Sequence, residues 1–360
     1  MKPFPPSFAK LAHLLSLPFF FSLAIILVAA LGPAPLHAAP QKSADVPEVT
    51  KIEPPNWRIG LTPEVLLLLS GHDLEATHVS CNLSSLRVTR TQATAGGDYL
   101  FVWLKIEPET LSGTAVCRVR TATGPAVFEL PLAARSDATG RFQGLSPGEV
   151  PYSITLKPLT GANSANEKPL AVTSPRDEGV TSAPVVENLR EIRDHLAELK
   201  NLGATALRLS PLAMPDSDDR SRDAVDFYSM DPVLGSLKDI QELVNSAHAQ
   251  KMKVMLDFDL LHIGEHHPWV LKPPLAEWLG VAANPRSNFS KPSGESSKHV
   301  LDTENPLVAL YLLQNSIWWV ETAGLDGIHV ARDPNITSQF WSSWRAGLQK
   351  IYPHLTIITE

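Results

Sequence analysis

Gly327-Ile328-His329-Val330-Ala331 is a short apolar run with one imidazole in it, and its setting decides the fold of the second half of the chain. Upstream, Pro306 opens a helical pattern that continues through Trp319. Downstream, a second pattern over about Thr337 to Tyr352 leads into Thr356 to Thr359. The same alternation recurs earlier. Met252 to Asp257 reads as a strand behind a helix that begins at Ser236, with Asp239 in capping-box spacing and Ile240, Leu243, Val244 and Ala247 on its apolar face. Ala204 to Leu209 reads as a strand behind a helix over Leu189 to Leu202, where Leu189, Ile192, Leu196 and Leu199 share one face and Gly203 supplies the stop. Strands alternating with helices make βα units and a parallel sheet. Such sheets carry their chemistry at the C-terminal ends of the strands.

Residues 49–135 have a different texture. Val65 to Leu69 is a brief apolar run bounded by Pro63 and Gly71. Val79 to Cys81, Arg87 to Thr89, Tyr99 to Leu104, Ala115 to Val119 and Ala126 to Leu130 follow. Gly96-Gly97, Ser112-Gly113 and Thr123-Gly124 punctuate them as turns. About seven short strands separated by turn signals read as an immunoglobulin-like β-sandwich. Residues 160–184, rich in Gly, Asn, Ser, Pro and charge, read as an exposed loop.

The chain has 360 residues, 44% hydrophobic and 19% charged, enough to bury one or two substantial cores. Lys2 and Lys10 precede an apolar stretch from Leu11 to Leu31, and Leu36-His37-Ala38-Ala39 offers small residues for cleavage after Ala38. This is the pattern of an export signal over residues 1–38, followed by a linker over 39–48. A periplasmic or secreted location is expected, with no membrane contact once the signal is removed. Losing Lys2 and Lys10 takes the basic residues from 31 to 29 and the net charge from −7 to −9. That balance argues against nucleic acid as a partner, because phosphate binding needs clustered Lys and Arg. Cys81 and Cys117 form one disulfide or remain two buried thiols, a choice that spacing alone leaves open. His262, His266 and His267 lack an accompanying group of acidic residues or cysteines, so no metal is expected, and no cofactor.

Particular motifs go further. Lys51-Ile52-Glu53-Pro54-Pro55-Asn56-Trp57 resembles the opening of the N-terminal sandwich of cyclomaltodextrinases and neopullulanases, with Arg58 where that family usually has a second aromatic. From about residue 141 to 360 the chain resembles glycoside hydrolase family 13, the alpha-amylase family. Asp226-Phe227-Tyr228-Ser229-Met230-Asp231-Pro232 is similar to the segment after the second barrel strand. Lys253 to Asp257, with His262, Gly264, His267, Pro268 and Trp269, is similar to the third-strand motif. Asn305-Pro306, Gln314 to Trp319 and Ala323-Gly324-Leu325-Asp326-Gly327 are similar to the run into the nucleophile strand. The resemblance implies that residues 136–360 form a truncated (β/α)8 TIM barrel of about five βα units. It also implies an alpha-glucan oligosaccharide as ligand, homodimerisation through the sandwich, and Asp257, His262, His329 and Trp269 as ligand-binding positions.

The same resemblance exposes departures. The family strand reads Asp-Gly-x-Arg-x-Asp, whereas this chain has His329 at the arginine position and Ala331 at the nucleophile position. Retaining glycosidases need two carboxyl groups about 5–5.5 Å apart, one of them the nucleophile. Ala331 has no oxygen, and His329 is no bidentate fork. Leu261 stands where the family has Asn, Asp219-Arg220-Ser221-Arg222 replaces a Tyr-His-Gly-Tyr segment, and Leu156-Lys157-Pro158-Leu159 aligns with Pro-Asp-Arg-Phe. Glu360, after Ile357-Ile358-Thr359, aligns with the acid/base residue and is the remnant catalytic candidate. Three readings follow: a catalytically impaired glucan-binding relative, an active alpha-1,4/1,6-glucan hydrolase, and an interaction module assembled through the sandwich.

Overall fold

The computed structural model describes residues 46–135, 142–147, 149, 151–154, 171–172, 181–182, 188–216, 223–280, 299–333 and 335–359. The export signal, the linker before Val46, Leu156–Leu159, Asp219–Arg222 and Glu360 lie outside them. The sandwich comprises β1 (Glu48–Glu53), β2 (Trp57–Ile59), β3 (Glu64–His72), β4 (Ala76–Cys81), β5 (Leu86–Ala93), β6 (Tyr99–Ile106), β7 (Gly113–Thr121) and β8 (Pro125–Ala134). They make two four-stranded sheets, ordered β1-β3-β6-β5 and β2-β8-β7-β4. In β7 and β8 burial alternates strictly: Ala115, Cys117, Val119, Phe128, Leu130 and Leu132 turn inward between exposed neighbours. A sheet with one wet face requires that period of two.

Strands β3 and β6 differ. Val65 to Leu69 and Tyr99 to Leu104 are buried without a break, because the outer face of their sheet is covered by the second half of the chain. Cys81 lies directly across the ladder from Cys117 on the adjacent strand, their Cα atoms 4.0 Å apart, and the two form a disulfide. That settles the alternative left open by spacing.

The second half contains β9 (Pro151–Ile154), β10 (Ala171–Val172), β11 (Thr181–Ser182), α1 (Leu189–Asp194), α2 (Leu196–Asn201) and β12 (Ala206–Leu209). It continues with β13 (Ala213–Pro215), β14 (Ala224–Met230), α3 (Leu237–Ala249), β15 (Lys253–Phe258), β16 (His262–Ile263), α4 (Pro268–Leu271), β17 (Leu279–Gly280) and β18 (His299–Leu301). The last elements are α5 (Pro306–Ala323), β19 (Gly327–Val330), α6 (Ser338–Ile351) and β20 (Thr356–Thr359). Strands β9, β12, β15, β19 and β20 form an all-parallel sheet in sequence order. Among the described residues this sheet does not close on itself, so they show an amylase-type βα layer rather than a complete barrel.

Three sequence expectations change. The helix over Leu189–Leu202 is two helices that meet at His195, although Leu189, Ile192, Leu196 and Leu199 are all buried as expected. The long loop after Phe258 holds short strands, and β13-β14-β16-β18-β17 form a second sheet. Strand β19 ends at Val330, leaving Ala331 exposed just beyond it.

Helix α5 joins the two halves. Asn305 caps its start, with its side-chain oxygen accepting from Leu307 N, and Pro306 sits at the first helical position, where a missing N–H costs nothing. Gly324 closes it in the left-handed conformation at φ 78°. Thirteen of its eighteen residues are buried, as expected for a helix packed on two sides. Gln314 uses both ends of its amide on β3: Leu66 N donates to Oε1 and Nε2 donates to Leu66 O, each at 2.8 Å. Strand β1 stops pairing at Glu53 opposite Leu68, so Leu66 has backbone groups facing past its end, and the Gln314 amide satisfies them. Tyr311 donates to Glu53 Oε1 at 2.9 Å, and Trp318 Nε1 to Asn56 Oδ1 at 3.2 Å.

Candidate active site

The registers of the parallel sheet place the polar residues. Asp257 on β15 is the direct neighbour of His329 on β19, and Arg208 on β12 pairs with Met255, two residues below Asp257. Two of these side chains converge on one oxygen. Arg208 Nε lies 3.0 Å from Asp257 Oδ1, and His329 Nδ1 lies 3.1 Å from the same atom. The His329 side chain is 8% exposed, while Arg208 and Asp257 remain partly exposed, at 27% and 24%.

A second group sits just past the strand ends. Asp259 Oδ1 accepts from Leu261 N and His262 N, each at 2.9 Å, and His262 Nδ1 lies 3.0 Å from Asp259 Oδ2. Burial works against the Asp259 charge. The His262 ring and the two backbone N–H groups outweigh it, and the carboxyl titrates below the usual range. The other His262 nitrogen, Nε2, faces Asp333 Oδ2 at 3.7 Å. Asp333 Oδ1 in turn accepts from Asn335 N at 2.7 Å and Asn335 Nδ2 at 2.9 Å. Asp333 is therefore held toward the loop and His262, two residues past the Ala331 methyl.

A cavity of about 170 Å³ lies against this cluster, with Ser210, Asp223, Phe227, Asp257, Asp259 and Trp319 among its walls. A larger groove of about 440 Å³ lies elsewhere, between β1, β8 and β14, and includes no residue of the strand ends. The smaller cavity is the one that meets the chemistry.

Of the expected ligand-binding residues, the structure brings Asp257 and His329 into direct contact and sets His262 beside them with Asp259. Trp269 is not among them. It is 2% exposed, with ring centroids 4.5 Å from His267, 4.9 Å from Trp278 and 5.1 Å from Tyr311. Its indole belongs to the core between the sandwich and α5, where no sugar face can reach it. Trp278, fully buried, is in the same cluster. His267 is held there too, accepting from Trp269 N through Nδ1, and burial drives its pKa down to about 3. The expected acid/base, Glu360, lies outside the described residues.

Arg208 and Asp259 were not anticipated from sequence. Arg208 is a lone charge inside the apolar run Ala206-Leu207-Arg208-Leu209, and Asp259 is the second acid of Leu256-Asp257-Phe258-Asp259-Leu260, just past the end of β15. A charge in or at the end of a parallel strand needs a partner, and that was the available signal. Asp326, at the opposite end of β19, is fully buried. It accepts from Val254 N at 2.9 Å and lies 2.6 Å from His248 Nε2, so it fastens β19 to β15. Among the described residues no three His, Cys, Asp or Glu side chains converge as metal ligands. No helix among them is long and apolar enough to cross a membrane.

Comparison with known proteins bears on this arrangement. The alpha-amylase catalytic domain matches residues 181–276, and the cyclomaltodextrinase N-terminal domain matches residues 51–136. A cyclomaltodextrinase of Geobacillus thermopakistaniensis (strain MAS1) is 29% identical over 185 residues, covering 48% of this chain and 31% of that protein. A maltogenic alpha-amylase of Bacillus acidopullulyticus is 27% identical over 190 residues, covering 48% and 31%. The crystal structure of an alpha-amylase from Geobacillus thermoleovorans complexed with acarbose matches with 26% identity and a TM-score of 0.43, over 48% of this chain and 40% of that one. This chain thus spans 31% of the length of each of these two curated relatives. The two domain matches, one on each half, make this chain similar to the alpha-amylase family, with an N-terminal part similar to the cyclomaltodextrinase N-terminal domain.

Proposed function

We propose that this chain is an exported protein that holds an alpha-glucan oligosaccharide in the cleft at the ends of β12, β15 and β19, and does not hydrolyse it through a glycosyl-enzyme ester. The observation that carries this reading is Ala331. Its methyl group stands just past the end of β19, at the position that resembles the family's nucleophile, and has no oxygen with which to attack an anomeric carbon. Asp333, the nearest carboxylate in sequence, is bonded to Asn335 and turned toward His262. A displacement of an ångström or more from the attacking position already costs orders of magnitude in rate.

The cleft still offers what a neutral polyol needs. Asp257 and Asp259 line the cavity as acceptors, with Phe227 and Trp319 on an apolar wall, and Arg208 and His262, each about a fifth to a quarter exposed, sit against those two carboxylates as donors. The names of the relatives, cyclomaltodextrinase and maltogenic amylase, point to alpha-linked glucose polymers as the ligand class.

Calorimetric titration of the purified chain with β-cyclodextrin and maltoheptaose tests binding, and chromatography of the products after long incubation tests turnover. Saturable binding with no released maltose is the expected result. Steady release of maltose or glucose would overturn the impaired reading and establish an active hydrolase. Export is tested by N-terminal sequencing of extracytoplasmic protein, which should begin at Ala39.

A further inference from the structure

The position that resembles the family's arginine is a histidine, yet the carboxylate beside it is not short of a guanidinium. Arg208 reaches Asp257 Oδ1 from β12, on the far side of β15 from His329, and both side chains meet at that one oxygen. We propose that the cation of this site has changed strands. Arg208 holds the Asp257 carboxylate in place, and the open edge of its guanidinium is a ligand-contacting group of the cleft. The ligand part of this inference rests on the glucan-binding reading above; the change of strand does not.

Two cations at positions 208 and 329 would compete for one carboxylate. Asp257 Oδ1 already has a full positive charge 3.0 Å away. The His329 side chain is 8% exposed, so an arginine placed there would need an anion of its own, because a buried unpaired charge is costly. With Arg208 present, its nearest anion is already engaged. A histidine at 329 carries no permanent charge, so it can sit 3.1 Å from Asp257 Oδ1 without that conflict. His329 and Arg208 are therefore one coupled arrangement rather than two unrelated departures. Arginine also suits the cleft side, since its planar fork can bond to the carboxylate and to ligand oxygens together.

A double-mutant cycle on the full chain tests the coupling. His329→Arg alone should lower the melting temperature. Combining it with Arg208→Met should raise it again by about 4 °C or more above the single variant, because the new arginine inherits Asp257. Equal or lower melting of the double variant, with the two single effects merely adding, overturns the change of strand. If His329→Arg does not fold, a second cycle reads the same contact. Arg208→Met should lower the melting temperature in the parent chain and leave it unchanged in an Asp257→Asn background; an equal drop in both refutes the pairing.

Ligand contact is read by titration with β-cyclodextrin. Arg208→Met should weaken binding about tenfold, the loss expected for a hydrogen bond to a charged group, while Arg208→Lys retains part of it. Unchanged affinity, or a parent chain that binds no β-cyclodextrin or maltoheptaose, overturns the ligand-contacting role. The second of these also overturns the proposed function. The melting cycles decide the change of strand in either case.

Discussion

The junction between the sandwich and α5 and the cleft at the ends of β12, β15 and β19 draw on the same residue types and use them in opposite ways. At the junction, Trp269, Trp278, Tyr311 and His267 are packed ring against ring and closed to solvent. Lys51 there bridges buried Glu53 at 2.9 Å and Asp226 at 3.0 Å, and burial raises the Glu53 pKa against the pull of Lys51. At the strand ends the charges are partly open: Arg208, Asp257, His262 and Asp333 each keep about a fifth to a quarter of the side chain exposed. Aromatic rings and histidines that look like a sugar platform in a sequence are, here, the mortar between two domains. In the proposed site the ligand chemistry would fall to the charged residues.

That contrast is easiest to break at Trp269. Replacing it with Ala should cost about 3–5 kcal/mol in stability, the usual loss for a deleted buried indole. Urea unfolding measures this, and β-cyclodextrin affinity at a temperature where the variant is folded should not change. A stable Trp269→Ala protein that no longer binds would move the indole out of the core and into the site.

Gln314→Leu comes next. It removes both bonds to Leu66 and leaves a buried strand N–H and C=O unsatisfied, for a loss of about 2–3 kcal/mol. Gln314→Glu keeps the acceptor for Leu66 N and places a carboxylate against Leu66 O. It should therefore be at least as harmful as Leu, and a milder effect would mean the amide is not engaged at both ends.

Acid should loosen the junction before it loosens the cleft. His267 is held near a pKa of about 3 by burial, whereas in the unfolded chain it returns to the ordinary 6.5. Between those values the unfolded state binds the extra proton, so stability is complete above pH 6.5 and is lost as pH falls below it. From pH 6.5 to 5 the loss is about 2 kcal/mol for this one group. In His267→Asn, where a side-chain oxygen can still cap α4, the part of the pH slope due to this residue should vanish. Asp259 acts further down the scale. Its lowered pKa contributes stability above the ordinary carboxylate range, lost as pH falls through its own value.

The smallest effect is expected at the cleft itself. Ala331→Asp places a carboxylate on an exposed residue, so its melting temperature should stay within about 2 °C of the parent, as for most surface changes. The variant should remain without turnover, since His329 and Asp257 keep the arrangement they have now. Recovery of maltose release in this single variant would show that the cleft lacked only a nucleophile.

Much of this fold is legible in the sequence because its signals are local. Ser236 and Asp239 do form the reciprocal capping box, and Asn305-Pro306 and Gly324 mark the two ends of α5. Strands β12, β15, β19 and β20 of the parallel sheet fall where the apolar runs lie, whereas β9, Pro151-Tyr152-Ser153-Ile154, has no such run. What escaped depends on partners distant in sequence. Strands β16, β17 and β18 have only two or three residues each and exist because they pair with one another. The break at His195 leaves the helical periodicity on both sides intact. Trp269 reads as a loop tryptophan until Tyr311, 42 positions later, closes over it. At the site, positions 329 and 331 were readable from the motif, but the role of Arg208 appears only once the register sets three strands side by side.

The disulfide also has a topological meaning. Cys81 and Cys117 are neighbours on β4 and β7, in one sheet, yet the chain between them builds β5 and β6 of the other sheet. The bridge therefore ties a ring through both layers. A pull on the two ends of the molecule would bypass the chain between the cysteines, which are 36 positions apart, withholding roughly 120 Å of extended chain. Under traction or at the mouth of a protease, the centre of the sandwich behaves as a closed covalent loop, and it yields its length only after reduction.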